Sequence, residues 1–175
     1  MARIVLGITG GIAAYKTADI VRALVKKGVE VVCIMTEAAR EFVTPLTLRT
    51  LSNNPVYCDM FHDAKDPGGP VEHIDLARNC DLILIAPATA NVIGKIACGI
   101  ADDLLTTTVM ACEKKVMLAP AMNKTMLITA KRIAMMVRGL GISMSPLSLD
   151  YDENSREDDI LDQPMIHHFE GREQA

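Results

Sequence analysis

The chain alternates short, almost wholly apolar runs with longer segments whose apolar positions recur at helical spacing. Arg3–Ile8, Val29–Met35, Asp81–Ala86 and Lys115–Ala119 are runs of this first kind, and Ile142–Ser145 is a shorter one. Apolar runs without period-two alternation predict strands covered on both faces, as in a parallel sheet. Ala13–Lys27 carries Ile20, Val21, Leu24 and Val25 at helical spacing and stops at Gly28, which predicts a helix. Short helical pieces are predicted over Glu37–Phe42 and Pro45–Leu51. Further helices are predicted over Ala90–Cys98 and Asp102–Cys112, and another from about Lys124 to Arg138. Asp63–Pro70 (DAKDPGGP) has the composition of a loop. Strands alternating with helices imply βαβ units. The fold class expected is therefore α/β: a doubly wound, Rossmann-like open parallel sheet with helices on both faces, and chemistry at the C-terminal strand ends.

No internal repeat or linker breaks this pattern. The reading divides the chain into one α/β domain over 1–146 and an acidic C-terminal flap or tail over 147–175. Within the latter, Asp150–Asp162 holds seven acids against one Arg. A charge run of this kind is read as a solvated tail, or as a flap or partner-binding segment.

Composition narrows the function classes. With 175 residues, 50% of them apolar, the chain is long enough for one domain with a proper core. Net charge is −4, and only 3% of residues are aromatic, with no Trp. Clustered basic residues and stacking platforms are what nucleic-acid surfaces need, so no nucleic-acid partner is expected. Eleven Met suggest an adaptable aliphatic core. The five cysteines, at 33, 58, 80, 98 and 112, are odd in number and form no C-x-x-C. They are expected to be buried reduced thiols in a cytoplasmic protein rather than disulfides or zinc ligands. Met1-Ala2-Arg3 leads directly into a strand too short for a signal segment, and no apolar run is long enough to span a membrane.

The strand-to-loop junctions hold the candidate chemistry. Gly7-Ile8-Thr9-Gly10-Gly11-Ile12-Ala13-Ala14 follows the first strand. Its spacing is neither the dinucleotide fingerprint nor a P-loop, and it suits a mononucleotide phosphate or simply a tight strand–helix turn. Thr36, after the second strand, is either a helix cap or a phosphate donor, with the cap preferred. Ala86-Pro87-Ala88-Thr89-Ala90-Asn91 offers small residues and two polar side chains to a flat, polar-edged ligand. Asp102-Asp103-Leu104-Leu105-Thr106 reads as a capped helix start with acids matched to the dipole. Asn123, behind Pro120, is placed either to pair with a carboxylate or amide edge or to cap a helix. His73 is a candidate acid/base or carboxylate partner, against the alternative of a surface or capping residue. The pair His167-His168 is read as structural or exposed.

Taken together, GITGGIAAYK, MTEAAREFVTPLTL, HIDLA, APATAN, GIADDLLTT and APAMNKTM occur in this order between Arg3 and Met126. This series resembles the homo-oligomeric flavin-containing cysteine decarboxylases, most of all the phosphopantothenoylcysteine decarboxylase branch of coenzyme A biosynthesis. The resemblance implies FMN as cofactor and no metal. It implies that Thr9, Gly10, Gly11 and Thr36 hold the phosphate and ribityl chain. Ala88, Thr89 and Thr106 are implied to lie along the flavin or its phosphate. By the same resemblance His73 is catalytic, Asn123 binds the substrate carboxylate, and Met122 lines that pocket. Trimers or dodecamers, with the site between protomers, are implied as well. The implied chemistry is a lyase reaction on a small molecule or peptide ending in cysteine. The Cα–Cβ–S unit is oxidised to a thioaldehyde, and the carboxylate beta to the thiocarbonyl then leaves to give an ene-thiol.

The likeness fades after Met126. Leu127-Ile128-Thr129 stands where the family has an aromatic residue and Asn-Pro, and no Cys follows Cys112. Coenzyme A-type members return a proton to the ene-thiol from a flap Cys. The C-terminal third therefore leaves open a peptidyl-cysteine decarboxylase that stops at the ene-thiol, as in lantibiotic-type maturation, or a non-catalytic flavoprotein acting as a regulatory subunit. A flavin prenyltransferase shares the fold but fits the Gly-Gly-Ile-Ala and PAMN segments less well.

Overall fold

The apolar runs pair into one six-stranded sheet, all parallel, in a computed structural model that describes residues 1–60, 72–123, 125–128 and the backbone of 142–144. The strands are β1 (Arg3–Ile8), β2 (Glu30–Met35), β3 (Val56–Tyr57), β4 (Leu82–Ala88), β5 (Lys115–Pro120) and β6 (Ile142–Met144). Their order is β3-β2-β1-β4-β5-β6. The helices are α1 (Thr17–Lys26), α2 (Pro45–Ser52), α3 (Glu72–Arg78), α4 (Ala90–Ala97) and α5 (Leu104–Met110). Two 3-10 segments, Ile12–Lys16 and Glu37–Glu41, follow β1 and β2.

Alternate residues of β1 to β5 feed two separate cores. Ile4, Leu6 and Ile8 of β1 and Val31, Cys33 and Met35 of β2 join Val21 and Leu24 of α1 and Leu48 of α2 on one face. Val5, Val32 and Ile34 join Leu76 of α3, Ile93 of α4 and Leu105 of α5 on the other. This is why the strands read as unbroken apolar runs: both sides of each are sealed from water. The chain leaves β1 for one face and β4 for the other, so the sheet's switch point lies between these two neighbours.

Several expectations are corrected. The predicted helix from Ala13 to Lys27 opens as the 3-10 segment, and only Thr17–Lys26 is α-helical. At the joint, Thr17 Oγ1 donates to the Ala14 carbonyl at 2.6 Å, a local bond that competes with the helical ladder. Gly28 ends the helix as expected, with φ +76°. β4 runs two residues further than the apolar run suggested. It continues through Pro87 by a register shift between Ile85 and Ala88, and Ala88 pairs with Pro120. The pattern missed β3, which is only two residues long, and gave no range for α3.

Among the described methionines only Met35 and Met117 are buried, whereas Met110 and Met126 are exposed, so the core is chiefly branched aliphatic rather than Met-rich. All five cysteines are free. Cys33 and Cys80 are buried, Cys58 and Cys112 half-buried, and Cys98 exposed, contrary to a uniformly buried set. Most of the predicted helix from Lys124, the loop Asp63–Pro70, the acidic run Asp150–Asp162 and His167-His168 lie outside the described residues.

The two glycines after β1 have different reasons. A Cβ on Gly10 would overlap Ala38 Cβ and come within 2.8 Å of the Ala38 carbonyl carbon, so Gly10 lets the segment after β2 press on the turn. A Cβ on Gly11 would sit 3.5 Å from Thr89 Cγ2, an ordinary contact. Gly10→Ala is therefore expected to cost about 1–3 kcal/mol by overpacking, and Gly11→Ala no more than about 0.5 kcal/mol. Urea unfolding of both variants checks the difference.

Candidate cofactor and active site

The C-terminal ends of β2, β1, β4 and β5 lie side by side, and the candidate residues follow from them. Thr9 is the first residue past β1. Its hydroxyl is wholly buried, donates to the Pro87 carbonyl at 2.6 Å and accepts from the Thr89 amide at 3.0 Å. One side chain thus ties the ends of β1 and β4 together across the switch point. Past Thr9, the amides of Gly10, Ile12 and Ala13 have no acceptor among the described residues, whereas those of Gly11 and Ala14 are bonded to Thr9 and Gly11 carbonyls. Such open amides at a turn are donors for an anion.

Thr36 closes the neighbouring corner. Its amide donates to the Ile8 carbonyl at 3.0 Å, which fixes it beside the end of β1. It occupies the N-cap position of the 3-10 segment after β2, but its side chain makes no capping bond. Its Oγ1 is buried and has no hydrogen-bond partner among the described residues. The expected capping role is therefore not what this side chain does. A buried hydroxyl without a partner is uncommon because it forfeits its water bonds, and here it stands next to the open amides. Thr36 and those amides fit a phosphorylated ligand.

On the β4 side, Ala88 is fully buried and Thr89 is partly exposed at the N-cap position of α4. The Ala121 amide donates to the Ala88 carbonyl at 3.3 Å, which carries the edge over to Met122 and Asn123. Met122 packs on the core of the α3–α4–α5 face. Asn123 is exposed, and its Oδ1 accepts from the Met126 amide at 2.9 Å, capping the helical turn over 125–128. Capping uses the oxygen and leaves Nδ2 free to donate.

His73 is the second residue of α3, partly buried, and its ring has no hydrogen-bond partner among the described residues. A crossover helix runs antiparallel to the strands it joins, so α3 and α5 both begin at the site edge of the sheet. Thr106 lies in the first turn of α5, fully buried. Its hydroxyl and amide bond Asp103 Oδ1 at 2.9 and 2.8 Å, and the Asp103 amide donates back to Thr106 Oγ1 at 3.3 Å, a capping box. Among the sequence candidates, Thr9, Gly10, Gly11, Thr36, Ala88, Thr89, Met122 and Asn123 thus share one edge. Thr106 sits beneath it with its hydroxyl engaged, and no hydrogen bond joins His73 to Asn123.

Two contributors escaped the sequence. The Pro87 carbonyl is an acceptor that only the fold reveals, 78 residues from its donor. Lys95 reaches from α4 to Asp102 at 2.6 Å and Asp103 at 3.1 Å, joining the end of α4 to the start of α5. The Lys95 ammonium bonded to Asp102 pulls that carboxyl below its usual range, and the same bond raises Lys95.

The flavoprotein family profile matches residues 1–161. This chain belongs to the flavoprotein family. The coenzyme A biosynthesis bifunctional protein CoaBC of Bacillus subtilis is 52% identical over 120 residues, which are 69% of this chain and 29% of that protein. The chain thus spans about 29% of the length of this longer flavoprotein relative. Among solved structures, the FMN-dependent cysteine decarboxylase SpaF aligns with a TM-score of 0.76 and 31% identity, covering 83% of this chain and 84% of SpaF. A Cys-to-Ser mutant of PPC decarboxylase complexed with pantothenoylaminoethenethiol aligns with a TM-score of 0.74 and 32% identity, covering 83% and 81%.

The two threonines at this edge make opposite predictions. Thr9→Val leaves the Pro87 carbonyl and Thr89 amide unpaired and is expected to destabilise by about 1–3 kcal/mol, with Thr9→Ser close to the parent. Thr36→Val removes a hydroxyl that has no partner among the described residues and should cost less than about 0.5 kcal/mol. Chemical denaturation of the three variants, with amide exchange at Thr89, checks this.

Proposed function

We propose that the protein is an FMN-dependent decarboxylase of a cysteine-ended substrate, most like the conversion of 4'-phosphopantothenoylcysteine to 4'-phosphopantetheine. The observation that carries the reading is the buried, unpartnered Thr36 hydroxyl beside the open amides after β1. It is supported by membership of the flavoprotein family and by the likeness to cysteine decarboxylases. The amides of Gly10, Ile12 and Ala13 and the Thr36 hydroxyl hold the FMN phosphate and ribityl chain. Ala88 and Thr89 border the flavin. Thr9 and Thr106 act from behind, by fixing the loop and the start of α5. Bound FMN supplies the two-electron oxidation of the substrate's carbon–sulfur unit.

The chain's own residues place and hold the substrate. Asn123 donates Nδ2 to the substrate carboxylate while its oxygen keeps the helix cap, so the amide is oriented before substrate arrives. A carboxylate held out of the thiocarbonyl plane is aligned to leave as CO2. His73, whose ring has no hydrogen-bond partner among the described residues, moves or holds the proton at the reacting end. Met122 supplies an apolar wall. The protein works as a homotrimer or dodecamer in the cytoplasm. That part of the reading is supported by large apolar side chains left on the surface: Ile12 71%, Tyr15 54%, Phe42 45% and Leu46 61% exposed. Among the described residues no helix is long and apolar enough to cross a membrane.

A second reading, a peptidyl-cysteine decarboxylase that releases the ene-thiol, is favoured by one sequence fact: no cysteine lies between residues 113 and 175. Mass spectrometry of phosphopantothenoylcysteine, incubated without oxygen with the FMN-loaded protein, separates the two. Loss of CO2 alone supports the coenzyme A-type reaction. Loss of CO2 and two hydrogens supports a reaction halted at the ene-thiol, and unchanged substrate with turnover of a Cys-ended peptide supports the second reading. Inertness toward both overturns the proposal.

Asn123→Asp tests the carboxylate contact, because Asp caps a helix as well as Asn does. Stability and FMN binding should be unchanged, while turnover falls by about a hundredfold or more as a like charge meets the carboxylate. Steady-state kinetics with a parallel unfolding curve decides it.

A further inference from the structure

At the edge of the sheet opposite the candidate site, two thiols from separate elements meet. Cys80 lies between α3 and β4, and Cys112 between α5 and β5. β4 and β5 are neighbours, and Leu82 pairs with Lys115, so both cysteines stand just before paired strand starts. Their side chains belong to the same apolar cluster, and each thiol is the leading influence on the other's ionisation. The Cys80 thiol donates to the Ala77 carbonyl at 3.4 Å, while Cys112 Sγ accepts from the Lys114 amide at 3.3 Å and donates to the Lys114 carbonyl at 3.7 Å. Neither thiol has a part in the site described above.

We propose that Cys80 and Cys112 form a reversible thiol-oxidation site, closing to a disulfide when the protein meets a hydroperoxide. The two sulfurs have different tasks. Cys112 is the half-buried one and Cys80 the buried one, so the oxidant reaches Cys112 first. The neighbouring Cys80 thiol, and then the Lys114 amide bonded to its sulfur, favour the Cys112 thiolate and bring it down to about 7, against the cost of its burial. The same pairing, with burial, raises Cys80 and keeps it a thiol. Arg3 and Asp81 beside Cys80, and Lys114 and Glu113 beside Cys112, are the charged groups that act on the pair.

The step balances. The Cys112 thiolate attacks one peroxide oxygen, the O–O bond breaks, and an alkoxide or hydroxide leaves, giving a sulfenic acid. The Cys80 thiol then attacks that sulfur, water leaves, and the S–S bond forms. Two electrons pass from the two sulfurs to the peroxide. The cross-link ties the C-terminal ends of α3 and α5, the helices whose first turns carry His73 and Thr106.

The reduced full-length chain is treated with hydrogen peroxide and mapped by mass spectrometry without reduction. The expected result is a mass lower by two hydrogens, one peptide pair joining Cys80 to Cys112, and full reversal by dithiothreitol. Alkylation of the reduced protein by iodoacetamide should be fastest at Cys112, with a pH midpoint of about 7. Cys80→Ser should leave Cys112 as a sulfenic acid that dimedone traps. Should that variant fail to fold, the map of the unaltered chain decides alone. A stable Cys112 sulfenic acid in the unaltered chain, a disulfide between other cysteines, or no reaction at either thiol overturns the proposal.

Discussion

The site depends on one buried hydroxyl. β1 and β4 are neighbours, but the chain departs from them to opposite faces of the sheet, and the parallel ladder between them ends at Gly7 and Ile85. Beyond that point no strand pairing holds the two ends together. Thr9 Oγ1 does so by donating to Pro87 and accepting from Thr89. A hydroxyl can serve both partners because it carries a donor and acceptor lone pairs. Enclosed from water, each bond lost would leave a polar group unpaired, so the two loops are held at a fixed separation. The open amides after Thr9 and the polar edge at Thr89 keep their relative position for that reason.

A second layer of constraint is steric. Gly10 admits Ala38, and Gly7 admits Leu105, where a Cβ would come within 2.5 Å of Leu105 Cδ1. The first contact brings the segment after β2, with Thr36 at its head, against the turn after β1. The second brings the first turn of α5, with Thr106 and Asp103, under β1. Lys95, bridging Asp102 and Asp103, anchors that turn to α4. Small residues and one cation thus decide how closely three separate connections approach the same crevice. The shape of the candidate edge follows from these approaches.

Much of the candidate site's residue list was legible from the chain, but the contacts of each residue were not. The Gly-Gly turn, Thr89 and Asn123 were found because they stand where apolar runs end. Thr36 and Asn123 presented the same choice, cap or ligand. The structure divides them: Asn123 does cap, and Thr36 does not, though it stands at the capping position. Local sequence carries no signal for that difference, since both residues stand at the start of a helical turn. The thiol pair was invisible too. Cys80 and Cys112 are 32 positions apart, and only the adjacency of β4 and β5 brings them together.

By itself the sequence determined the α/β class, the parallel sheet and its sealed faces, since the length and purity of the apolar runs follow from burial on both sides. It also determined the helix stop at Gly28 and the motif series of the flavoprotein family, both of which are local. The tertiary structure alone decided the strand order, the extension of β4 through Pro87, the partners of the Thr9 and Cys80 side chains, and the burial of the Thr36 hydroxyl without one among the described residues. Those depend on contacts between residues tens of positions apart. Each such contact is set by which strand neighbours which, and no local periodicity encodes it.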